Sequence, residues 1–384
     1  MPADGAVERI NVWAAERERD PWPTWPEGFT AAERDRRAAL VLSALAGLKP
    51  KHLLPVAARL RTAGACLDLV RRGGLGSEAD RAWVGRLEPD RILAELDALG
   101  ARTVTWNDPT YPPQLRLIHD PPFVLFVRGG ALPTLDRAVA IVGSRRCTEL
   151  GHELGRAIGA GLARAGISVV SGAARGIDAA SHEGALSAGG PTVAVLGCGV
   201  EGAFPAGSRA LLRRILEAGA IVSEYPPGVP PAQFRFPARN RIVAGLCRAT
   251  VVVEGADGSG SKITGEHALE FGRDVYAVPG SLNSPLSFVP LELIREGATM
   301  IRGAADLLED LGLDAAPLGP PPDLTLAELA ALRALAGPTL PDRVARELRV
   351  GLADALSLLM RLEMRGLVRS VGGRFEATLA AGSI

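Results

Sequence analysis

The chain has 384 residues, which is long enough for two or three domains with sizeable cores. Its 43 basic and 43 acidic residues give a formal net charge of zero, so charge alone predicts no nucleic-acid partner and any basic site has to be local. All but three of the basic residues are arginine, a side chain that suits bidentate contacts with phosphate.

The cysteines are far apart in the sequence and include no C-x-x-C pair: Cys66, Cys147, Cys198 and Cys247. This spacing predicts a reducing, cytoplasmic compartment and argues against a disulfide framework or a zinc site. The N-terminal segment carries charges throughout and has no apolar core, so we expect no signal peptide. No apolar run approaches the ~20 residues that a membrane helix needs, and we expect no membrane partner.

The N-terminal third contains an arm, a helical segment and a connector. Residues 1–30 are polar and rich in Trp and Pro, which predicts an irregular arm. Short amphipathic runs broken by Gly and Pro predict a small helical domain over residues 31–105. The prolines of residues 106–130 exclude a continuous helix, and this connector ends in a predicted strand, FVLFV, at 123–127.

From residue 138 onward, short apolar strands alternate with amphipathic runs of helical length. The predicted strands are 138–143, 168–172, 192–197, 220–225, 250–255, 274–280 and 299–303. Continuous apolar strands separated by helices are typical of a parallel sheet that is covered on both faces. We therefore predict an α/β fold over residues 106–313, with an extended Rossmann-like, doubly wound and mostly parallel sheet. Ligands of such sheets bind at the carboxyl ends of the strands.

The C-terminal part begins with a change of composition. Residues 314–322 are rich in Pro and predict a linker. Three helical runs and a Gly-Gly turn follow over residues 323–384, which predicts a winged-helix-like domain.

Two common nucleotide-binding patterns are absent. The first sheet strand is followed by GSRRCTELG rather than G-x-G-x-x-G, and the second ends in Ser-Gly rather than in an acid for a ribose, which argues against NAD. The stretch GADGSGSK, residues 255–262, has two Gly at the P-loop spacing, but Ser261 displaces the Lys by one position. The residues before the next predicted helix still offer hydroxyl and backbone N–H groups to an anion: Ser259, Gly260 and Ser261. A helix cap without a ligand would have the same sequence pattern.

Asp178 and His182 stand four residues apart on one predicted helix. We interpret Asp178 as a residue of the helix N-terminus and His182 as a hydrogen-bonded packing histidine, since no third ligand is spaced to complete a metal site. No nucleophile elbow, H-E-x-x-H motif or coherent carboxylate pair appears elsewhere. The sequence therefore predicts a binding protein without a cofactor or a metal, rather than an enzyme.

One segment of this neutral chain is locally basic. Between residues 205 and 250, only Glu217 and Glu224 oppose seven arginines: Arg209, Arg213, Arg214, Arg235, Arg239, Arg241 and Arg248. Within FPARNRIVAGL, residues 236–246, a helix start and two guanidinium groups could favour the same anion. Phe236 is either a hydrophobic staple or an aromatic surface for an unpaired base. Phosphate contacts beside a stacking ring are the usual parts of a single-strand site.

The order of these motifs resembles the DprA/Smf family of DNA-processing proteins. The resemblance runs from Tyr111 to Leu311 and rests on motifs that include YPPQL, DPPFVLFVRG, AIVGSRRCTELG, VVSGAARGIDAASHEGAL, IVSEYPPG, FPARNRIVAGL, VVVEGADGSGS and VYAVPGS. The family implies a Rossmann-like domain that binds single-stranded DNA and loads the RecA recombinase onto it, in support of natural transformation and recombination. It also implies a homodimer.

The resemblance implies a set of DNA-binding residues at the ends of the strands. They are Gly143, Ser144, Arg145, Ser171, Gly172, Phe236, Arg239, Asn240, Arg241, Ser259, Gly260 and Ser261. The sequence departs from the family pattern at Lys262 and Gly265, at Gln233, where some relatives have a base, and in the loop 284–290, which we expect to contact the ligand differently.

Two alternatives remain open at this stage. Related Rossmann-like hydrolases act on nucleoside monophosphates, but their P-G-G-x-G-T-x-x-E signature is absent and the nearest run is DGSGSKITGEH. Alternatively, the C-terminal module binds duplex DNA while the sheet senses a nucleotide. Its arginines are interrupted by acidic residues, which is more typical of a protein-docking surface.

Overall fold

The computed structural model describes residues 22–45, 47–202, 206–313, 324–335, 337–364 and 367–377. Most of the predicted arm and the predicted linker at 314–322 lie outside the described residues.

Five helices precede the sheet: α1 Glu33–Ser43, α2 Pro50–Leu60, α3 Ala63–Arg71, α4 Glu78–Val84 and α5 Pro89–Leu99. Their starts follow from local chemistry. Pro50 and Pro89 occupy first-turn positions, where a missing N–H costs nothing. Ser77 and Asp80 form a capping box at the start of α4, which satisfies two backbone donors reciprocally.

The described strands of the central sheet are β1 Ala101–Thr105, β2 Val124–Gly129, β3 Ala138–Val142, β4 Ser168–Ser171, β5 Thr192–Leu196, β6 Ala220–Ser223, β7 Ala249–Val252, β8 Asp274–Ala277 and β9 Thr299–Met300. Their spatial order is β1-β2-β6-β5-β4-β3-β7-β8-β9. The β1–β2 and β2–β6 pairs are antiparallel and all others are parallel, so the predicted α/β fold with a mostly parallel sheet is confirmed.

Residues 101–105 differ from the prediction, which assigned them to the helical segment. They form the antiparallel edge strand β1, paired from Ala101 opposite Arg128 to Thr105 opposite Val124. Only Val104 and Thr105 of this strand are buried, so its sequence lacks the continuous apolar run that marks the central strands.

Helices cover both faces of the sheet: α6 Glu149–Arg164, α7 Ile177–Ser187, α8 Arg209–Ala218, α9 Arg235–Gly245, α10 Gly260–Glu270, α11 Phe288–Arg295 and α12 Ala304–Asp310. Ala140 of β3 packs into one core, and its neighbours Val139 and Ile141 pack into another. This alternation explains why β3 is apolar at every position. The first core also contains Leu42 of α1 and Leu53 of α2, so the N-terminal helices and the sheet share it.

The C-terminal elements are α13 Leu326–Arg333, α14 Pro341–Leu348, α15 Leu352–Met364, β10 Val368–Val371 and β11 Arg374–Ala377. They pack around a separate core that includes Leu332, Leu359 and Phe375. Gly372 and Gly373 join the two antiparallel strands with φ of 59° and 75°, as a tight hairpin requires. Across the described residues, none of the helices combines the length and the apolar character needed to cross a membrane.

Candidate functional site

An open cleft of about 720 Å³ lies at the carboxyl ends of β3 and β7. β3 pairs with β4 on one side and with β7 on the other, so the strand order reverses at this point. Such a reversal leaves a crevice between the connections that leave the sheet in opposite directions. The residues lining this cleft come from three segments: 142–146 after β3, 233–243 around the start of α9, and 256–264 after β7, together with Gly172, Ala174 and Asp178.

The loop after β3 is held against its neighbours. A Cβ on Gly143 would lie 2.5 Å from Cγ1 of Ile177, so glycine permits the close approach of this loop to α7. The Ser144 carbonyl accepts a hydrogen bond from the Ile177 N–H at 3.2 Å. Glu254 accepts from the backbone N–H and the hydroxyl of Thr148 at 2.9 and 2.6 Å. These contacts fix the ends of the loop and leave its two arginines exposed.

Arg145 and Arg146 are the exposed cations of the cleft. The Arg145 guanidinium carbon lies 5.3 Å from the centroid of the half-buried Phe236 ring, within cation–π range. In the part of the chain that the structure describes, neither arginine forms an ion pair with a carboxylate. One wall of the cleft therefore combines exposed positive charge with an aromatic face.

Arg239 forms part of the floor of the cleft. It is 4% exposed and donates to the carbonyls of Gly172, at 2.7 Å, and Val195. A Cβ on Gly172 would overlap the guanidinium, so a larger residue here would displace Arg239 from these carbonyls. Burial lowers the pKa of Arg239, and nearby Asp178 partly offsets the effect. Arg239 is thus a fixed positive charge that ties α9 to the ends of β4 and β5.

Asp178 and His182 are buried and form hydrogen bonds within the fold. Asp178 accepts from the backbone N–H groups of Gly172 and Ala174 at 3.2 and 3.3 Å, and burial raises its pKa. His182 is fully buried, and its Nδ1 lies 2.7 Å from the hydroxyl of Thr192. Burial lowers the pKa of His182 to about 3, so the imidazole is neutral at physiological pH. The interpretation of His182 as a packing histidine is confirmed.

The opposite wall is the N-terminus of α10. Ser259 caps this helix by accepting from the Ser261 N–H at 3.3 Å, and the two hydroxyls lie 2.8 Å apart. The Asn240 side chain donates to the Gly260 carbonyl at 3.0 Å and so joins α9 to α10. The positive end of the helix dipole favours a bound anion at this N-terminus.

Most of the predicted DNA-binding residues converge on this cleft. Those lining it are Gly143, Ser144, Arg145, Gly172, Phe236, Arg239, Asn240, Ser259, Gly260 and Ser261. Ser171 is not among them, because it is fully buried and donates its hydroxyl to the Ile141 carbonyl at 2.6 Å. Arg146 also lines the cleft but was not among the predicted residues, although its place beside Arg145 in GSRRC was the available signal.

Arg241 also lies outside the lining of the cleft. Its two terminal nitrogens donate to both carboxylate oxygens of Glu224 at 2.9 and 2.7 Å, and its Nε donates to the Asp120 carbonyl at 2.7 Å. Burial alone would lower the pKa of Arg241, but Glu224 and Asp120 outweigh it and the pKa is raised. The structure therefore corrects the prediction for this residue: Arg241 is neutralised inside the protein, two residues from a cleft arginine.

The departures from the family pattern have local explanations. The Lys262 ammonium lies 2.7 Å from a Glu292 carboxylate oxygen, so its added charge is paired. A Cβ on Gly265 would lie 3.4 Å from Leu293, which is ordinary packing distance. The loop 284–290 does not line the cleft. Leu286 and Val289 instead bond to the backbone of Gly255 at 2.7 and 2.9 Å, which supports the segment after β7.

The chain is similar to known proteins in sequence and in fold. Residues 102–312 match the model of the family described as DNA recombination-mediator protein A. The chain is 39% identical to the DNA processing protein DprA of Bacillus subtilis over 245 residues, which are 64% of this chain and 82% of that protein. It is 38% identical to the protein Smf of Escherichia coli over 277 residues, 69% of this chain and 74% of that one.

Two solved structures are similar. The crystal structure of DprA from Streptococcus pneumoniae matches with a TM-score of 0.62 and 34% identity, over 73% of this chain and 98% of that chain. A DprA structure from Helicobacter pylori, described for its single-stranded DNA binding mode, matches with a TM-score of 0.50 and 27% identity, over 55% of this chain and 95% of that chain.

Proposed function

Because the chain belongs to the DNA recombination-mediator protein A family, which includes the DprA and Smf proteins, we propose that it binds single-stranded DNA in the cleft between β3 and β7 without catalysing a reaction. The observation that carries this proposal is the pairing of Arg145 with Phe236 at 5.3 Å, opposite the N-terminus of α10. Guanidinium and helix N–H groups suit phosphates, and an accessible ring suits an unpaired base.

The ring of Phe236 favours a single strand over a duplex, and the arginines of the cleft attract the phosphate backbone. Phe236 is half-buried, so the accessible part of its ring can stack on a base that is not already stacked in a helix. Arg239 contributes fixed positive charge from below, while Arg145 and Arg146 can adjust to the backbone. Since these groups would contact phosphates and the faces of bases rather than base edges, we expect little sequence preference.

The family relationship supports a wider role. The protein hands the bound strand to the RecA recombinase, acts as a homodimer, and serves recombination and, in a competent host, natural transformation. The three helices and the hairpin of residues 326–377 act as a winged-helix module. Loading predicts faster nucleation of RecA filaments on single strands when this protein is present, and an unchanged nucleation rate would remove that part of the proposal.

The proposed DNA binding is tested by fluorescence anisotropy of one labelled oligonucleotide, as a single strand and as a duplex, at two salt concentrations. We expect tighter binding of the single strand and weaker binding at higher salt, since phosphate contacts release counterions. Duplex-selective binding, or none, would contradict the proposal. Hydrolysis of nucleoside monophosphates by the same preparation would instead favour an enzyme.

A further inference from the structure

We propose that His119, His267 and Glu270 form a binding site for a zinc ion, and we refer to them as the His–Glu cluster. His267 and Glu270 are one turn apart in the last turn of α10, and His119 lies in the connector between β1 and β2. One potential ligand atom from each side chain lies within 4.8 Å of the others. This site is separate from the cleft and does not depend on the proposed DNA binding.

The distances within the cluster fit tetrahedral coordination. Zinc binds imidazole nitrogen at roughly 2.0–2.1 Å and carboxylate oxygen at roughly 2.0–2.2 Å, which puts neighbouring ligand atoms about 3.3–3.5 Å apart. Oε2 of Glu270 lies 3.1 Å from Nδ1 of His267 and 3.7 Å from Nδ1 of His119. These two separations lie on either side of the required one, and all three ligand atoms lie within 4.8 Å of one another, so zinc binding requires side-chain rotation and replaces the His267–Glu270 hydrogen bond.

His119 provides a second, independent observation. Its Nδ1 is buried and, within the described residues, makes no hydrogen bond. Buried polar atoms are nearly always satisfied, and a bound cation would satisfy this one. Two imidazoles and one carboxylate suit zinc, whereas calcium and magnesium prefer sites built only from oxygen.

Aromatic rings hold the two imidazoles in place. The Phe271 ring stacks on His267 with an interplanar angle of 2° and a centroid distance of 5.7 Å, and it lies 5.2 Å from His119. Trp22 packs edge-on against His119 at 5.6 Å. An apolar surround of this kind fixes ligand orientation and limits competing water. Glu270 is exposed, which gives the ion an entry path and leaves a fourth position open to water.

The site is tested by titrating the full chain, stripped with a chelator, with zinc chloride against a chromophoric zinc indicator. We expect one zinc ion per chain, and a higher midpoint of thermal unfolding with zinc than without, because an ion that binds the folded state stabilises it. Wild-type protein that takes up no zinc would overturn the proposal, whatever the behaviour of the variants.

Substitutions locate the ion. His119→Gln and His267→Gln should each weaken zinc binding by at least ~10-fold, the smallest loss typical even of residues that only support a ligand. Glu270→Gln should do the same with little effect on folding, since the side chain is exposed. His52→Gln, at an exposed histidine of α2, is the matched control and should leave affinity unchanged. Zinc affinity that survives all three cluster substitutions would place the ion elsewhere, for example on a cysteine, and would refute this site.

Discussion

Two regions on either side of α9 contain arginines with opposite roles. In the cleft, Arg145 and Arg146 are exposed and, among the described residues, have no carboxylate partner. Behind the helix, Arg241 is 4% exposed and bonded to both oxygens of Glu224. A basic motif therefore does not by itself indicate an anion site. What matters is whether a carboxylate already satisfies each guanidinium.

The largest expected effect concerns the buried Arg241. Arg241→Met leaves the carboxylates of Glu224 and Asp120 in the interior without their cation, which should lower the free energy of unfolding by about 3–5 kcal/mol. Chemical denaturation measures this loss. The folded fraction should keep its affinity for single-stranded DNA, because Arg241 does not line the cleft.

A matched arginine controls for the loss of charge. Arg213→Met removes an exposed guanidinium of α8 and should change the free energy of unfolding by less than about 0.5 kcal/mol. If both variants lose the same stability, the buried ion pair is not the cause and the contrast between the two regions is wrong.

The second effect concerns the aromatic part of the cleft. Phe236→Ala should weaken single-strand binding by about 1–3 kcal/mol, the usual value of one stacked base. Phe288→Ala is the matched control, since Phe288 is 46% exposed and does not line the cleft. Anisotropy titrations measure the single-strand affinity of both variants. Equal losses would mean that Phe236 does not stack on a base.

The smallest expected effect concerns a lysine beside the cleft. Lys262 lies in the first turn of α10, yet its ammonium is paired with Glu292 at 2.7 Å. Lys262→Ala should therefore leave DNA affinity unchanged and change stability little, because ion pairs in contact with solvent are screened. A double-mutant cycle with Glu292→Ala measures the coupling. A marked loss of DNA binding in Lys262→Ala would show that the lysine leaves its partner for a phosphate.

Local patterns were sufficient to predict much of the sheet. The apolar runs of β3 and β7 predict these strands and the polar groups that follow them, because strand periodicity and turn chemistry are short-range properties. The spatial order of the strands was not predicted. Local chemistry left Phe236 and Ser259 with two readings each, and the resemblance to the DprA/Smf family was needed to predict them and Asn240 as site residues. The weakly patterned β1 could not be predicted, since its pairing with β2 is decided at a distance.

Long-range partners account for the remaining differences. Nothing near Arg241 in the sequence indicates that Glu224, 17 residues earlier in the bend after β6, neutralises it. His119 and His267 are likewise far apart in the chain, so their spacing suggests no metal site until α10 packs against the connector. Ser171 is the last residue of β4, and its hydroxyl bonds to the neighbouring strand instead of facing the cleft.

The most direct test of the account is the salt dependence of single-strand binding by the wild-type protein and by Arg145→Ala, with Arg213→Ala as a control outside the cleft. If Arg145 neutralises one phosphate, the slope of log affinity against log salt concentration should fall in magnitude by roughly 0.7 in Arg145→Ala and stay unchanged in the control. A folded Arg145→Ala protein with the wild-type slope would contradict the claim that the strand's phosphates lie in this cleft.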